Sequence, residues 1–79
     1  MRVLFFAQIK DATGCASVQL DAPAPIQAEA LWGELLTRFP ALEKHRRTVR
    51  FARNSEYAAA DALFANDDEV ALIPPVSGG

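Results

Sequence analysis

Residues 3–9 form a short apolar run, Val3-Leu4-Phe5-Phe6-Ala7-Gln8-Ile9, rich in β-branched and aromatic side chains and too short for a typical helix, and predict a first strand. Lys10-Asp11-Ala12-Thr13-Gly14 is turn chemistry, with Gly14 free to take positive φ. From Ala16 to Leu20 the chain alternates, Val18 and Leu20 against Ser17 and Gln19, as a half-buried strand does. The two runs predict a hairpin with a loop of about five or six residues. Asp21-Ala22-Pro23-Ala24-Pro25 cannot continue a ladder, because neither proline has an N–H to donate.

At Ile26 the period changes. Ala28, Leu31, Trp32, Leu35, Leu36 and Phe39 fall on one helical stripe, with Gln27, Glu29, Glu34 and Arg38 opposite. Pro25 suits the first turn of a helix over 26–39, Glu29 suits its positive end, and Pro40 stops it. Gly33 inside this helix costs about 1 kcal/mol relative to alanine and suggests close packing. One more helical turn fits within 41–48. Val49 to Arg53 reads as a strand, Asn54-Ser55 as a turn and Glu56-Tyr57-Ala58 as a short return strand. Ala59 to Asn66 is ambiguous and helical by propensity. Asn66-Asp67-Asp68 is a turn before a last strand, Glu69 to Ile73. The order predicts an α+β domain over 1–73: a mixed sheet in the β-grasp arrangement, with one main helix across one face and the last strand beside the first.

Parity along the strands adds a surface. If Val3, Phe5, Val70 and Leu72 face the helix, then Leu4, Phe6, Ala71 and Ile73 face away. One helix covers one face only, so Leu4, Phe6 and Ile73 are expected to form an exposed apolar patch that a protein partner covers. The rival expectation is that the second helical segment shields them.

Composition sets the scale. Of the 79 residues 51% are hydrophobic, but fifteen of those are alanine. A core of this size holds one sheet and one or two helices without also walling off a deep catalytic cavity, which favours a carrier, adaptor or subunit over a self-sufficient enzyme. The net charge of −2 gives no reason to expect nucleic acid as the main ligand. No stretch approaches the roughly 20 apolar residues of a membrane span, and the opening run is too short for a signal peptide, so the expected compartment is the cytoplasm. One cysteine, Cys15, and one histidine, His45, cannot make an internal disulfide or a metal site by themselves, and no metal is expected.

The sequence closes on Pro74-Pro75-Val76-Ser77-Gly78-Gly79. Two prolines favour an extended course, and at ~3.1 Å per residue the segment 74–79 would reach roughly 19 Å from the sheet. The glycine pair is as thin as a polypeptide can be and suits a narrow partner channel. A terminal carboxylate is ionised at neutral pH and a poor electrophile, so chemistry there first needs a leaving group, such as an adenylate.

These residues carry a resemblance. Val3-Leu4-Phe5-Phe6-Ala7, Gly14, Ala52 and Asn54, Asp68-Glu69-Val70-Ala71 and the closing Pro74 to Gly79 resemble the small, sulfur-carrying subunits of molybdopterin synthases, a ubiquitin-like β-grasp family, over essentially the whole chain. The resemblance implies that an adenylating enzyme similar to ubiquitin-activating enzymes uses ATP to activate Gly79, and that sulfur from a persulfide donor displaces AMP to leave a thiocarboxylate. It implies that Pro74, Pro75, Val76, Ser77 and Gly78 enter the large subunit, where sulfur passes to a cyclic pyranopterin precursor of the molybdenum cofactor. The small subunit then works in a heterotetramer of two small and two large chains, with most of the catalytic residues on the large one and no tightly bound cofactor of its own. Asn66 and Asp67 stand where the family usually has a glycine, Arg53 where it is usually apolar, and Lys10 where arginine is common.

Alternatives are a β-grasp carrier serving thiamine or another thio-compound, a ubiquitin-like modifier joined to lysines, or an adaptor with an inert end. The run Lys44, His45, Arg46, Arg47, Arg50, Arg53 reads as a solvated face or as a dock for an acidic partner. Cys15 is expected to be a small filler rather than a persulfide carrier, Trp32 core, and His45 a surface residue. Ser17, Ser55 and Ser77 show no base and acid partners in the sequence.

Overall fold

The computed structural model describes residues 1–21, 25–59 and 61–74. Of the expected tail, 74–79, only Pro74 is described; residues 75–79 lie outside the described residues, as do 22–24 of the proline-rich break.

Five strands make a mixed sheet in the order β2-β1-β7-β4-β5: β1 Arg2–Phe5, β2 Ser17–Gln19, β4 Arg50–Arg53, β5 Glu56–Tyr57 and β7 Glu69–Ile73. β1 and β7 are parallel; the β1–β2, β4–β7 and β4–β5 pairs are antiparallel. A parallel pair needs a long crossover, and α2 (Ala28–Arg38) lies within it. A second, two-residue ladder joins β3 (Ile26–Gln27) to β6 (Leu63–Phe64). The α+β sheet with a main helix on one face is thus as expected from the pattern.

The burial periods explain these elements. Val3, Phe5, Val70 and Leu72 are buried on the helix side, alternating with half-buried Leu4, Ala71 and Ile73. On α2, Leu31, Trp32 and Leu35 are buried, while Ala28 and Leu36, with Phe39 just past the helix end, pack against the core's edge. Phe51 ties the layers together, its ring 5.1 Å from that of Trp32 and 5.6 Å from that of Phe64. Phe5 meets Phe39 edge to face at 5.5 Å.

Four local expectations change. The apolar run does not continue as a strand to Ile9: β1 ends at Phe5, and Ala7–Thr13 is a short helix, α1, so residues 6–16 are no tight hairpin loop. Ile9 is fully buried from α1, and Gly14, at φ 78°, closes it by donating its N–H to the Lys10 carbonyl at 2.9 Å. The glycine expected in a turn is a helix cap. Second, α2 begins at Ala28 rather than 26, because Ile26 and Gln27 are claimed by the β6 ladder. Third, the ambiguous stretch 59–66 contains β6 rather than a helix among its described residues, because fully buried Phe64 anchors it to the core. Fourth, Gly33 is not a close-packing site, since a Cβ there would meet nothing within 4 Å. The further helical turn expected within 41–48 is present as a 3-10 helix, Pro40–His45, which Pro40 opens and which buries Leu42.

Candidate partner-docking site

The register of the sheet assigns the face that α2 does not cover. Reading across the strands, Ser17 pairs with Leu4, Leu4 with Ala71, Ala71 with Ala52 and Ala52 with Tyr57, so one row of mainly apolar side chains crosses all five strands. Ile73 and Arg50 pair toward one end of this face, Arg2 and Glu69 toward the other. Phe6 follows β1 beside the end of β7 and is 45% exposed; Tyr57 is 59% exposed. Leu4, Phe6, Ala52, Ser55, Tyr57, Glu69, Ala71 and Ile73 line a shallow groove of about 360 Å³.

The three sequence-predicted contact residues, Leu4, Phe6 and Ile73, thus line one groove. The second helical segment does not shield them: the 3-10 helix packs against α1 and α2 on the opposite side of the sheet. Sequence reading missed Ala52 and Tyr57. Buried Phe51 was the available signal, since it puts Ala52 on the open face, and the Asn54-Ser55 turn then brings Tyr57 opposite Ala52.

A polar knot fixes the groove's lower edge. Asn54 and Ser55 both take positive φ, 51° and 74°, which closes the β4–β5 turn tightly. The Asn54 side-chain amide donates to Asp68 at 3.0 Å, and its Oδ1 accepts the Glu69 N–H at 2.9 Å. The other Asp68 oxygen accepts the Ala65 N–H at 2.8 Å. These bonds tie the start of β7 to the turn. They also hold the Asp68 carboxyl below the usual carboxylate range, first through the Ala65 N–H and then through Asn54.

The basic run does not act as one surface. Arg46 pairs with Glu29 at 2.6 Å, Arg53 donates to the Leu63 carbonyl, and the Arg50 guanidinium lies 4.3 Å over the Tyr57 ring. Lys44, Arg46 and Arg47 line a polar groove with Glu29, Glu43 and Trp32, on the helix side. His45 is half-buried rather than a surface residue, with Nε2 buried and unbonded among the described residues. Cys15 is half-buried and packs against the core, as a filler does. Among the described residues no cluster of three or more His, Cys, Asp or Glu side chains is placed to hold a metal ion, and no helix is long and apolar enough to cross a membrane.

The comparisons with known proteins bear on the whole chain. Residues 3–79 match the model of the ThiS family. This chain belongs to the ThiS family. A molybdopterin synthase sulfur carrier subunit of Homo sapiens is 40% identical over 82 aligned residues, which take in 100% of this chain and 93% of that protein. The crystal structure of the small archaeal modifier protein 1 of Haloferax volcanii superposes with a TM-score of 0.82 at 30% identity, covering 100% of this chain and 98% of that one. A chain from a complex of subunits 1 and 2 of the molybdopterin-converting factor of Helicobacter pylori superposes with a TM-score of 0.70 at 23% identity, covering 99% of this chain and 96% of that one. The mixed sheet with one main helix is therefore the β-grasp of ThiS-family proteins, and the open face is a face of that fold.

Proposed function

We propose that this chain is the sulfur carrier subunit of a molybdopterin synthase, a non-autonomous part of a sulfurtransferase. The observation that carries the reading is similarity over the full chain to a subunit of that name, at 40% identity. In this reading Gly79 is adenylated by an ATP-dependent activating enzyme, converted to a thiocarboxylate with sulfur drawn from a persulfide donor, and presented to a large subunit. The H. pylori complex, in which a chain of the same fold is a subunit of a converting factor, supports a large-subunit partner. Pro74 to Gly78 lead Gly79 into that subunit, while Leu4, Phe6 and Ile73 meet its surface. The exposed groove supports this division of labour: it lies on β7, the strand from which Pro74 and the following residues continue. ATP belongs to the activating partner, and the carrier needs no resident cofactor.

A second reading, a ubiquitin-like modifier joined to lysines, is favoured by the likeness to the archaeal modifier protein. Intact mass separates the two. After incubation with activating enzyme, ATP and a persulfide donor, a carrier exchanges one oxygen for one sulfur at Gly79. A lysine-linked adduct instead would support the modifier, and no change would leave an adaptor. One residue appended after Gly79 should abolish sulfur loading, because the reacting carboxyl is then on the wrong residue.

A further inference from the structure

On the open face Arg50 is the charged residue in register with the end of β7 from which Pro74 follows, and its side chain is held in place before any partner arrives. Of the charged residues on this face, Arg2 and Glu69 stand in register across from each other at the far end, so opposite charges are neighbours there. Arg50 stands across from Ile73, an apolar residue, at the end where β7 passes to Pro74. It has no acidic partner among the described residues. Its guanidinium instead rests 4.3 Å over the ring of Tyr57, one of the side chains lining the groove.

That arrangement is a cation with its position set but its charge unanswered. Stacking on an aromatic face restricts the side chain and leaves the guanidinium edge, with its fork of N–H donors, free to bond a carboxylate. An arginine already ordered loses less freedom on pairing than a free one. The site combines an apolar groove for area with a charged donor at its rim, which suits a protein surface whose apolar patch is bordered by acid.

We infer that Arg50, steadied by Tyr57, is a specificity-determining residue of the docking surface, and that it pairs with a carboxylate of the large subunit beside the point where residues 74–79 enter. This inference rests on the carrier reading above. It names the chemistry of the partner's rim: an Asp or Glu there, not a phosphate or a basic residue.

The test is a titration of purified full-length carrier with the large subunit of the same source, at several salt concentrations. Arg50→Glu should weaken the affinity by about 10-fold or more, and Arg50→Gln by less, with a flatter dependence on salt than the parent shows. Arg50→Lys should recover only part of the loss, because an ammonium keeps the charge but neither stacks on Tyr57 nor presents the fork of donors. Thermal unfolding of each variant checks that the fold is kept, and Arg50→Gln serves if the charge reversal fails to fold. Phe6→Asp is run beside them. If Phe6→Asp weakens binding while Arg50→Glu and Arg50→Gln stay within about twofold with the parent's salt slope, the Arg50 inference is overturned and the docking face stands. If Phe6→Asp also leaves affinity unchanged, the open face is not the docking surface and both ideas fall.

Discussion

Single residues decide how tightly the loops close. Gly14 sits at φ 78° with open space where a Cβ would go, so the cost of a side chain there is conformational and not steric. Gly14→Ala should destabilise by about 1 kcal/mol, seen as a drop of roughly 4–8 °C in Tm for a domain of this size. Asp68 carries the acid sensitivity of the β4–β5 corner. Its folded pKa lies below the ordinary value of 3.8, so its bonds to Ala65 and Asn54 favour the folded state above that value. The contribution is lost as pH falls through the depressed pKa, in the window below about pH 4. Urea midpoints at pH 7 and pH 3 should therefore separate by less in Asp68→Asn than in the parent, since the asparagine cannot titrate. The residue scale was only partly legible from sequence. The turn at Asn54-Ser55 could be read from residue types, whereas the bond from Asn54 to Asp68 joins residues fourteen apart and depends on the β4–β7 register.

Elements show where periodicity succeeds and where it runs out. The α2 stripe is long enough for its period to be unmistakable, and Leu31, Trp32 and Leu35 are buried as that stripe requires. β1 and α1 together offer only a short apolar run, with Ile9 three residues past Phe6, so a strand followed by a short helix gives almost the same pattern as a longer strand. Gly14 resolves the ambiguity only when read as a helix terminator. β6 was illegible for a different reason: its two residues have no period, and its strand state comes from pairing with Ile26 and Gln27. Because Gly33 is exposed on α2 and a Cβ there meets nothing within 4 Å, its presence costs helix propensity without a packing return. Gly33→Ala should stabilise the domain by about 0.5–1 kcal/mol, measured as a higher denaturant midpoint with an unchanged slope.

At the scale of the whole molecule, the two faces of the sheet do different work. The helix side buries Phe5, Val70, Leu72 and Phe51 and supplies the stability. The open side keeps Phe6 and Tyr57 exposed, which contributes little to folding. Phe6→Asp should accordingly leave Tm within a few degrees of the parent while weakening large-subunit binding, read by calorimetric titration; loss of folding instead would make Phe6 a core residue. Parity alone makes this face legible in the sequence, since Leu4 and Ile73 follow from the alternation of their strands. Its left-to-right order is not legible there, because the row from Ser17 to Tyr57 exists only once five separated segments are in register.

The strand of this sheet that leaves the ribosome last is its middle one. Until residues 69–73 slot between Arg2–Phe5 and Arg50–Arg53, those two segments have no common neighbour, and Val3, Phe5 and Phe51 lack the Val70 and Leu72 side chains that complete their layer. A nascent chain cut short before this point is therefore not a smaller version of the protein but an unassembled one. The same insertion that finishes the core also creates the outward groove, so only completely folded molecules can offer a surface for docking.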